Sequence, residues 1–222
     1  VIVVNCKAGI EVGTEKAWEL CDKFNLPRII FVTNMDDDHA SFRELILKLE
    51  TRFGRKIAPF HLPIRENEKF VGFVNVVKMK GRRFTTNSDY VECEIPEYSK
   101  KNLDICRGAL VEAVAETSEE YMERYFSGEE FTYEEISAAL REHVIDGSIV
   151  PVMLGSGINC QGARMLLQGI DRYFPSPDHF ECIGVDVSTG ERFVAKYDDG
   201  VSLSMRVFKT IVDPFIGKYS LV

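Results

Sequence analysis

Three short polar or glycine-rich segments each follow an apolar run and carry groups that could recognise a ligand. They are residues 5–9 (NCKAG), 33–36 (TNMD) and 155–157 (GSG). Ligands of open parallel sheets bind beyond the carboxyl ends of the strands, so we expect these segments to lie together. A carboxylate such as Asp36 accepts two N–H donors, and the amides of a glycine-rich turn donate to a carbonyl group. The pattern favours a planar polar ligand, with Asp36 as a simple helix cap left open as the alternative.

A run of possible metal ligands overlaps the second segment, at residues 36–39 (DDDH). Consecutive residues at a helix start point in different directions, so helix capping is the better interpretation. His61, His143 and His179 have no companions at ligand spacing, and the six cysteines form no C-x-x-C pair. The spacing excludes a zinc knuckle and a redox dithiol, and it is typical of a protein of the reducing cytosol.

Apolar runs rich in β-branched residues predict the strands that position these segments. Residues 1–5 and 29–33 are continuous runs, typical of strands covered on both faces, with a helix opening near Thr14 between them. Asp37 stands where a second helix is expected to begin, and residues 150–154 form the next apolar run. We therefore predict an α/β fold with a parallel sheet.

The connection between the second helix and the third strand is too long for a loop. It has about ninety residues, so we predict an inserted subdomain over 57–146. Its first part has strand-like pieces at 73–77 and 90–95, which predict a small antiparallel sheet around a turn at Lys80-Gly81.

The second part of the insertion is predicted to be helical. Residues from about 99 to 126 are expected to be helical, and a capping box from Thr132 to Glu135 begins a helix that runs through about Val144. Nine acidic residues lie between 119 and 146 against two arginines. This acidic stretch is either a solvated helix face or a docking surface for a basic partner.

A proline pair at 175–177 marks a domain boundary, because it stops a helix and stiffens a linker. The pattern then changes to period two, which predicts β-strands in a domain that is not complete. The predicted strands are 183–187, 193–197 and 201–208. The predicted domains are a parallel-sheet domain at 1–56 with 147–178, the inserted subdomain at 57–146, and the start of a β-barrel domain at 179–222.

Composition and charge narrow the class of protein. The chain has 222 residues, 45% hydrophobic, with Lys+Arg 27 against Asp+Glu 35, which excludes disordered and collagen-like chains. No apolar run approaches the ~20 residues of a membrane helix. The formal net charge of -8 argues against broad binding to a phosphate backbone. A local basic group is either a solvated strand edge or a contact for RNA, and consists of Lys78, Lys80, Arg82 and Arg83.

Segments spread along the whole chain resemble translation elongation factor G. Residues 31–36 (FVTNMD) resemble its phrase FVNKMD, and residues 8–18 resemble its AGVEPQTETVW stretch. Residues 151–156 resemble PVLCGSA and residues 173–177 resemble YLPSP. Further resemblances, in the same order as in that family, lie at 62–64, 70–72, 77–80, 207–210 and 213–218.

The resemblance implies a GTPase-type parallel sheet and a guanine-binding site. By resemblance, Asp36 accepts hydrogen bonds from the guanine N1–H and 2-amino group, while Ser156 and the backbone N–H of Gly157 hold the O6 side. Thr33 stands where the family has Asn, and Asn34 stands where it has Lys. Thr33 keeps a hydroxyl without the carboxamide, and Asn34 lacks the alkyl stem that lies over the base. We therefore expect a diverged member of the family, with weaker or altered base selectivity left open as an alternative.

The resemblance also implies GTP or GDP as the cofactor, action on the ribosome through ribosomal RNA and stalk proteins, and a cytoplasmic location. The 222 residues contain no GxxxxGK(S/T) motif and no DxxGH motif, so the chain is expected to be an internal piece that does not hydrolyse GTP alone. Mg²⁺ is expected only in the full-length protein. The alternatives are a ribosome-binding regulatory protein with a degenerate guanine pocket and, with less support, a generic nucleotide or sugar-phosphate protein.

Overall fold

The computed structural model describes residues 1–85, 88–179, 181–195, 198, 200 and 204–222. Its helices are α1 Val12–Lys23, α2 Phe42–Phe53, α3 Glu97–Ala115, α4 Glu119–Ser127, α5 Tyr133–Ile145 and α6 Ala163–Tyr173. Its strands are β1 Ile2–Asn5, β2 Ile30–Thr33, β3 Ile57–Pro59, β4 His61–Glu66, β5 Lys69–Asn75, β6 Lys80–Phe84, β7 Tyr90–Cys93, β8 Val150–Leu154, β9 Cys182–Val185, β10 Arg192–Ala195, β11 Lys209–Asp213 and β12 Gly217–Leu221.

The predicted α/β fold with a parallel sheet is confirmed. Four strands form this sheet in the order β1-β2-β8-β3, and every pair is parallel. Strand β8 is buried along its whole length, as its continuous apolar run predicts. Strand β1 lies at the edge of the sheet and alternates, with Val3 59% exposed, so the expectation that both of its faces are covered is wrong.

The inserted segment contains the predicted antiparallel sheet, in the order β4-β5-β6-β7. The turn predicted at Lys80-Gly81 is wrong, because both residues lie in β6 and the turn occupies residues 76–79. Gly81 is needed for a different reason. A Cβ atom there would stand 2.7 Å from the carbonyl oxygen of Cys93 on the neighbouring strand.

The region predicted to be helical over about 99–126 contains two helices, α3 and α4. The break is local: the Thr117 hydroxyl donates to the carbonyl oxygen of Val114, and the Ser118 hydroxyl accepts from the N–H of Tyr121 to cap α4. The capping box of α5 is confirmed, since Glu135 N–H donates to Thr132 Oγ1 and Thr132 N–H donates to Glu135 Oε2.

The acidic stretch of the insertion is partly neutralised from within. Arg124 bonds Glu135 at 2.7 Å and lies 3.3 Å from Glu129. Together with the Thr132 capping bonds, the Arg124 guanidinium lowers the pKa of the Glu135 carboxyl to about 2. These contacts tie α4 to the start of α5.

One continuous cluster of buried apolar side chains extends from the parallel sheet into the inserted sheet and its helices. Phe60 joins the two sheets through its backbone, because its N–H donates to the carbonyl oxygen of Val152 and its carbonyl accepts from the N–H of Val76. Its ring meets Tyr173 edge to face at 5.2 Å. The insertion therefore shares a core with the sheet that carries it.

The chain divides into two compact units, residues 1–174 and 175–222. The second unit contains two antiparallel pairs, β9 with β10 and β11 with β12. Of the strand predicted at 201–208, residues 201–203 lie outside the described residues and 204–208 carry no strand, since β11 begins at Lys209. Residues 196 and 197 of another predicted strand also lie outside them. Among the described residues, no helix combines the length and apolar character needed to cross a membrane.

His61 gives the fold a testable dependence on pH. The side chain is buried in β4 with its ring 4.7 Å from that of Phe73, and burial, aided by the Arg82 charge, lowers its pKa to about 3. Between the ordinary pKa of 6.5 and this value, the unfolded state binds a proton that the folded state does not. The free energy of unfolding therefore falls with falling pH in this window, by about 1.4 kcal/mol per pH unit from this residue.

We expect His61→Gln to remove this contribution, so that the free energy of unfolding falls less steeply than in the wild type between pH 6.5 and pH 3.5. Urea titrations across this range measure it. The exposed His39 offers the control, and His39→Gln should keep the wild-type slope. Parallel curves for wild type and His61→Gln would contradict the neutral, buried state of this ring.

Candidate guanine-binding site

The three ligand-binding loops predicted from the sequence lie side by side at the carboxyl end of the parallel sheet. Cys6 N–H donates to the carbonyl oxygen of Thr33 at 3.0 Å, which joins the first loop to the second. Met35 N–H donates to the carbonyl oxygen of Gly155 at 3.1 Å, and Gly155 N–H donates to that of Val32 at 2.8 Å. Backbone bonds therefore hold the three loops in register.

The second loop turns sharply at Asn34, which has a φ of 61°. Asparagine is among the few residues with a side chain that adopt this left-handed conformation readily. The next residue, Met35, is completely buried and anchors the loop in the core. Asp36 follows it and is half-buried.

Asp36 presents an acceptor that the chain itself does not use. Its Oδ1 atom is out of contact with solvent and has no hydrogen-bond partner among the described residues. Buried acceptors without a donor are rare in folded proteins and call for an explanation. The interpretation of Asp36 as a helix cap is wrong, because α2 begins at Phe42 after Ser41. A ligand with N–H donors would satisfy this oxygen.

The third loop is shaped by a close backbone approach. A Cβ atom on Gly155 would stand 2.2 Å from the carbonyl oxygen of Gln161, so no side chain is accommodated there. Ser156 N–H donates to that same carbonyl at 2.9 Å, and Ser156 Oγ accepts from the N–H of Asn159 at 3.3 Å. Ser156 is buried, and both of these groups are occupied within the loop.

Gly157 is the exposed residue of this turn and lies next to Thr33. A Cβ atom on Gly157 would stand 3.6 Å from Thr33 Oγ1. The exposed Gly157 backbone and the Thr33 hydroxyl are thus neighbours, although they are far apart in the sequence. Thr33 is the last residue of β2, with Asn34 and Asp36 after it, and Ser156 and Gly157 follow β8. The structure therefore brings the five predicted site residues to the carboxyl end of the parallel sheet.

The first loop supports the other two. Asn5 Oδ1 accepts from the N–H groups of Lys7 and Ala8, which closes a compact turn. Lys7 Nζ lies 3.4 Å from Asp37 Oδ2. The N–H of His39 and then Lys7 hold the pKa of the Asp37 carboxyl below its usual range.

Cys6 is unsuited to nucleophilic chemistry in this site. Burial raises the pKa of its thiol to about 11, although the Arg65 charge acts in the opposite sense. A thiol reacts as the thiolate, so Cys6 stays inert near neutral pH. Among the described residues, no group of three His, Cys, Asp or Glu side chains is arranged to hold a metal ion.

Arg65 is the positioning residue that sequence reasoning missed. From strand β4, its guanidinium donates to the carbonyl oxygens of Met35 at 2.8 Å, Ala40 at 3.3 Å and Asp37 at 3.4 Å. It therefore holds the backbone on both sides of Asp37. Gln161, which shapes the third loop through its carbonyl group, was missed as well, and neither residue has a local pattern that distinguishes it.

The site combines one unsatisfied carboxylate oxygen with the exposed backbone of a glycine turn and a hydroxyl. A planar heterocycle that carries N–H donors beside a carbonyl group would complement this arrangement. Guanine has such an edge, with N1–H and a 2-amino group next to O6. Adenine has no donor at N1.

Two comparisons with known proteins identify the family of the chain. The elongation factor Tu GTP binding domain model matches residues 1–176. A crystal structure of a protein from Thermus thermophilus is 31% identical in sequence, with a TM-score of 0.79 over 98% of this chain. The match covers 30% of that Thermus chain.

The chain therefore belongs to the guanine-nucleotide-binding family of the elongation factor Tu GTP binding domain. Within it, the chain is of the translational GTPase type of elongation factor G, as the sequence resemblance predicts.

Arg65 gives the site a test that does not require a ligand. We expect Arg65→Ala to raise the amide exchange rates of Met35, Asp37 and Ala40, because the loop loses charged hydrogen bonds worth about 1–3 kcal/mol, or roughly 10–100-fold in exchange. Hydrogen exchange followed by NMR measures the effect.

Arg83→Ala is the matched control. Arg83 is an exposed arginine of the same inserted sheet and pairs with Glu66 instead of the loop. Its removal should leave these amide rates unchanged. Equal rates in wild type and Arg65→Ala would show that Arg65 does not hold the loop.

Proposed function

We propose that this chain forms the guanine-recognising part of a translational GTPase that binds GTP and GDP and acts on the ribosome in the cytoplasm, in translocation or recycling. The observation that carries the proposal is the buried Oδ1 atom of Asp36, which has no partner among the described residues. In this proposal, the Asp36 carboxylate accepts hydrogen bonds from the guanine N1–H and 2-amino group. Membership of the family supports GTP as the nucleotide.

The remaining contacts to the base are divided between backbone and side chain. The N–H of Gly157 faces the guanine O6 side, and Ser156 shapes the turn that presents it, because its own N–H already donates to Gln161. Thr33 offers a hydroxyl beside Gly157. Asn34 lies over less of the base than a lysine would, since its side chain is shorter.

Phosphate binding and hydrolysis belong to the whole protein in this proposal. The 222 residues contain no GxxxxGK(S/T) motif, which cradles phosphates and supplies the hydroxyl for Mg²⁺. The proposed organisation is a GTPase domain at 1–56 and 147–178, an inserted subdomain at 57–146, and the start of a β-barrel domain at 179–222. The first boundary needs one correction: Ile57–Pro59 pair in parallel with β8 and so belong to the parallel sheet. Ribosomal RNA and stalk proteins are the proposed partners.

A second candidate is a ribosome-binding regulatory protein that does not hydrolyse GTP. Thr33 and Asn34 favour it, because each replaces a longer side chain of the family at the base. The two candidates differ in nucleotide selectivity: the GTPase discriminates guanine from adenine, and the degenerate pocket does not.

The Asp36 interaction predicts a change of base preference. In the full-length protein, we expect Asp36→Asn to weaken GDP binding by roughly 10–100-fold, because an amide cannot accept both guanine donors and two buried groups lose their partners. The same change should strengthen XDP binding, since xanthine carries a carbonyl at position 2 that the Asn amide can donate to. Calorimetric titrations with GDP, XDP and ADP measure both effects.

Asp38→Asn provides the control, because Asp38 is exposed and two residues further along the same loop. It removes the same charge and should leave the preference for GDP intact. ADP binding to the wild type as tightly as GDP would overturn the guanine assignment and favour the degenerate pocket.

The missing phosphate motif predicts that the purified 222-residue chain shows no Mg²⁺-dependent release of phosphate from GTP, whereas the full-length protein does. A phosphate-release assay compares the two at equal concentration. Turnover by the 222-residue chain would show that these residues hold a phosphate site of another kind. No phosphate release from GTP by the full-length protein would favour the regulatory alternative.

A further inference from the structure

A cavity of about 240 Å³ lies between the inserted sheet and helices α5 and α6, away from the base-binding loops. It is smaller than most sites for drug-sized ligands. Its lining shares no residue with the three loops described above. The polar side chains in its wall include His61, Asn75, Lys78, Arg82, Tyr133 and Arg172.

Arg82 is a buried cation in this wall. Its side chain lies in β6 and the residue is only 8% exposed, with the guanidinium 4.4 Å from the centre of the Tyr90 ring. Its Nε atom has no hydrogen-bond partner, and no carboxylate pairs with the guanidinium, among the described residues. Glu92 lies opposite Arg82 on β7 and interacts with its charge through space, but it bonds Lys80 at 2.9 Å. A buried guanidinium that no carboxylate bonds is costly, so a fixed arginine of this kind indicates an anion. The expectation that Arg82 belongs to a solvated basic edge is wrong.

Two further cations converge on the same cavity. Lys78 Nζ lies 5.1 Å from the centre of the Tyr133 ring, and the Arg172 guanidinium lies 5.5 Å from it and bonds the Tyr133 hydroxyl. Burial, together with the charges of Arg82 and Arg172, lowers the pKa of Lys78. These three cations face one carboxylate, Asp171, in the described lining.

His61 adds an unused polar group. Its Nε2 atom lies 3.3 Å from Asn75 Nδ2, so when the Asn75 amide donates, the ring proton is on Nδ1. Nδ1 is buried and has no partner among the described residues. The wall thus contains two buried side chains, Arg82 and His61, each with an unsatisfied nitrogen.

We propose that this cavity binds a phosphate-type oxyanion, held by Arg82 from within and by Lys78 and Arg172 at its rim. The anion is inorganic phosphate or the phosphoryl group of a small phosphomonoester, which present the same oxygens to the guanidinium groups. The proposal does not depend on the nucleotide assignment, because the cavity and the base-binding loops share no residue. The 222-residue chain also contains no phosphate-loop motif that would compete for the added phosphate.

The test is an NMR titration of the isotopically labelled 222-residue chain with sodium phosphate at constant ionic strength. We expect saturable shifts of amides in residues 75–82 and 165–173. A second titration with glycerol phosphate distinguishes the two possible anions. Tighter binding of glycerol phosphate than of inorganic phosphate identifies a phosphomonoester site, and weaker binding identifies a site for the free ion. Acetate at the same ionic strength should produce no saturable shifts.

Variants then locate the site. Lys78→Gln and Arg172→Gln each remove one charged partner of the anion and should weaken phosphate binding about ten-fold. Lys69→Gln is the matched control, since Lys69 is an exposed lysine of the same sheet that does not line the cavity. It removes the same charge and should leave the affinity unchanged.

Arg82→Lys keeps the buried charge but removes the forked N–H donors of the guanidinium, and it too should weaken phosphate binding. A dispersed amide spectrum of this variant checks that its fold is intact. Because Lys78 and Arg172 are at the rim, their variants remain informative if Arg82→Lys does not fold. Two results would overturn the proposal. One is the absence of saturable shifts in the wild type, and the other is an equal loss of affinity in Lys69→Gln and Lys78→Gln.

Discussion

The guanidinium of Arg65 is the interaction on which the candidate site depends. It reaches from the inserted sheet to three carbonyl oxygens of the loop that carries Asp36. A loop that presents a carboxylate to a ligand must keep that group in place before the ligand arrives, since ordering it afterwards would cost conformational entropy. Hydrogen bonds from a charged donor at 2.8 Å supply that order without covering the Asp36 side chain. The inserted sheet therefore stabilises a loop of the parallel-sheet domain that the insertion interrupts.

Arg65 is held in place because the inserted sheet shares one core with the parallel sheet within residues 1–174. Phe60 bonds one sheet through its N–H and the other through its carbonyl oxygen, and its ring packs on Tyr173 of α6. Helix α3 packs against both β3 and β4, which extends the same core. A shift of the inserted sheet would thus require the core to repack, and closely packed cores resist small displacements.

Much of this arrangement could be predicted from the sequence, and the failures share a physical cause. Continuous apolar runs located β2 and β8, and the position of strand ends then brought the loops at Thr33 and Gly155 together. Gly81 was placed in a turn because glycine is common there, whereas the structure needs it for the approach of Cys93. Arg65 was missed because its partners are about thirty residues away, so its role depends on tertiary contacts that no local pattern encodes.

Thr33 and Asn34 depart from the family pattern, but the loops that form the candidate site keep their positions. The loops are joined by backbone bonds, from Cys6 to Thr33 and from Met35 to Gly155, which do not depend on the side chains at positions 33 and 34. Asparagine at 34 also suits the left-handed backbone there. In the proposed function, the exchange of side chains at positions 33 and 34 therefore removes contacts to the base, while the backbone bonds still hold the loops that carry Asp36 and Gly157. Base recognition in the proposed function consequently rests on the carboxylate and the glycine turn, and these are the groups that the frame holds.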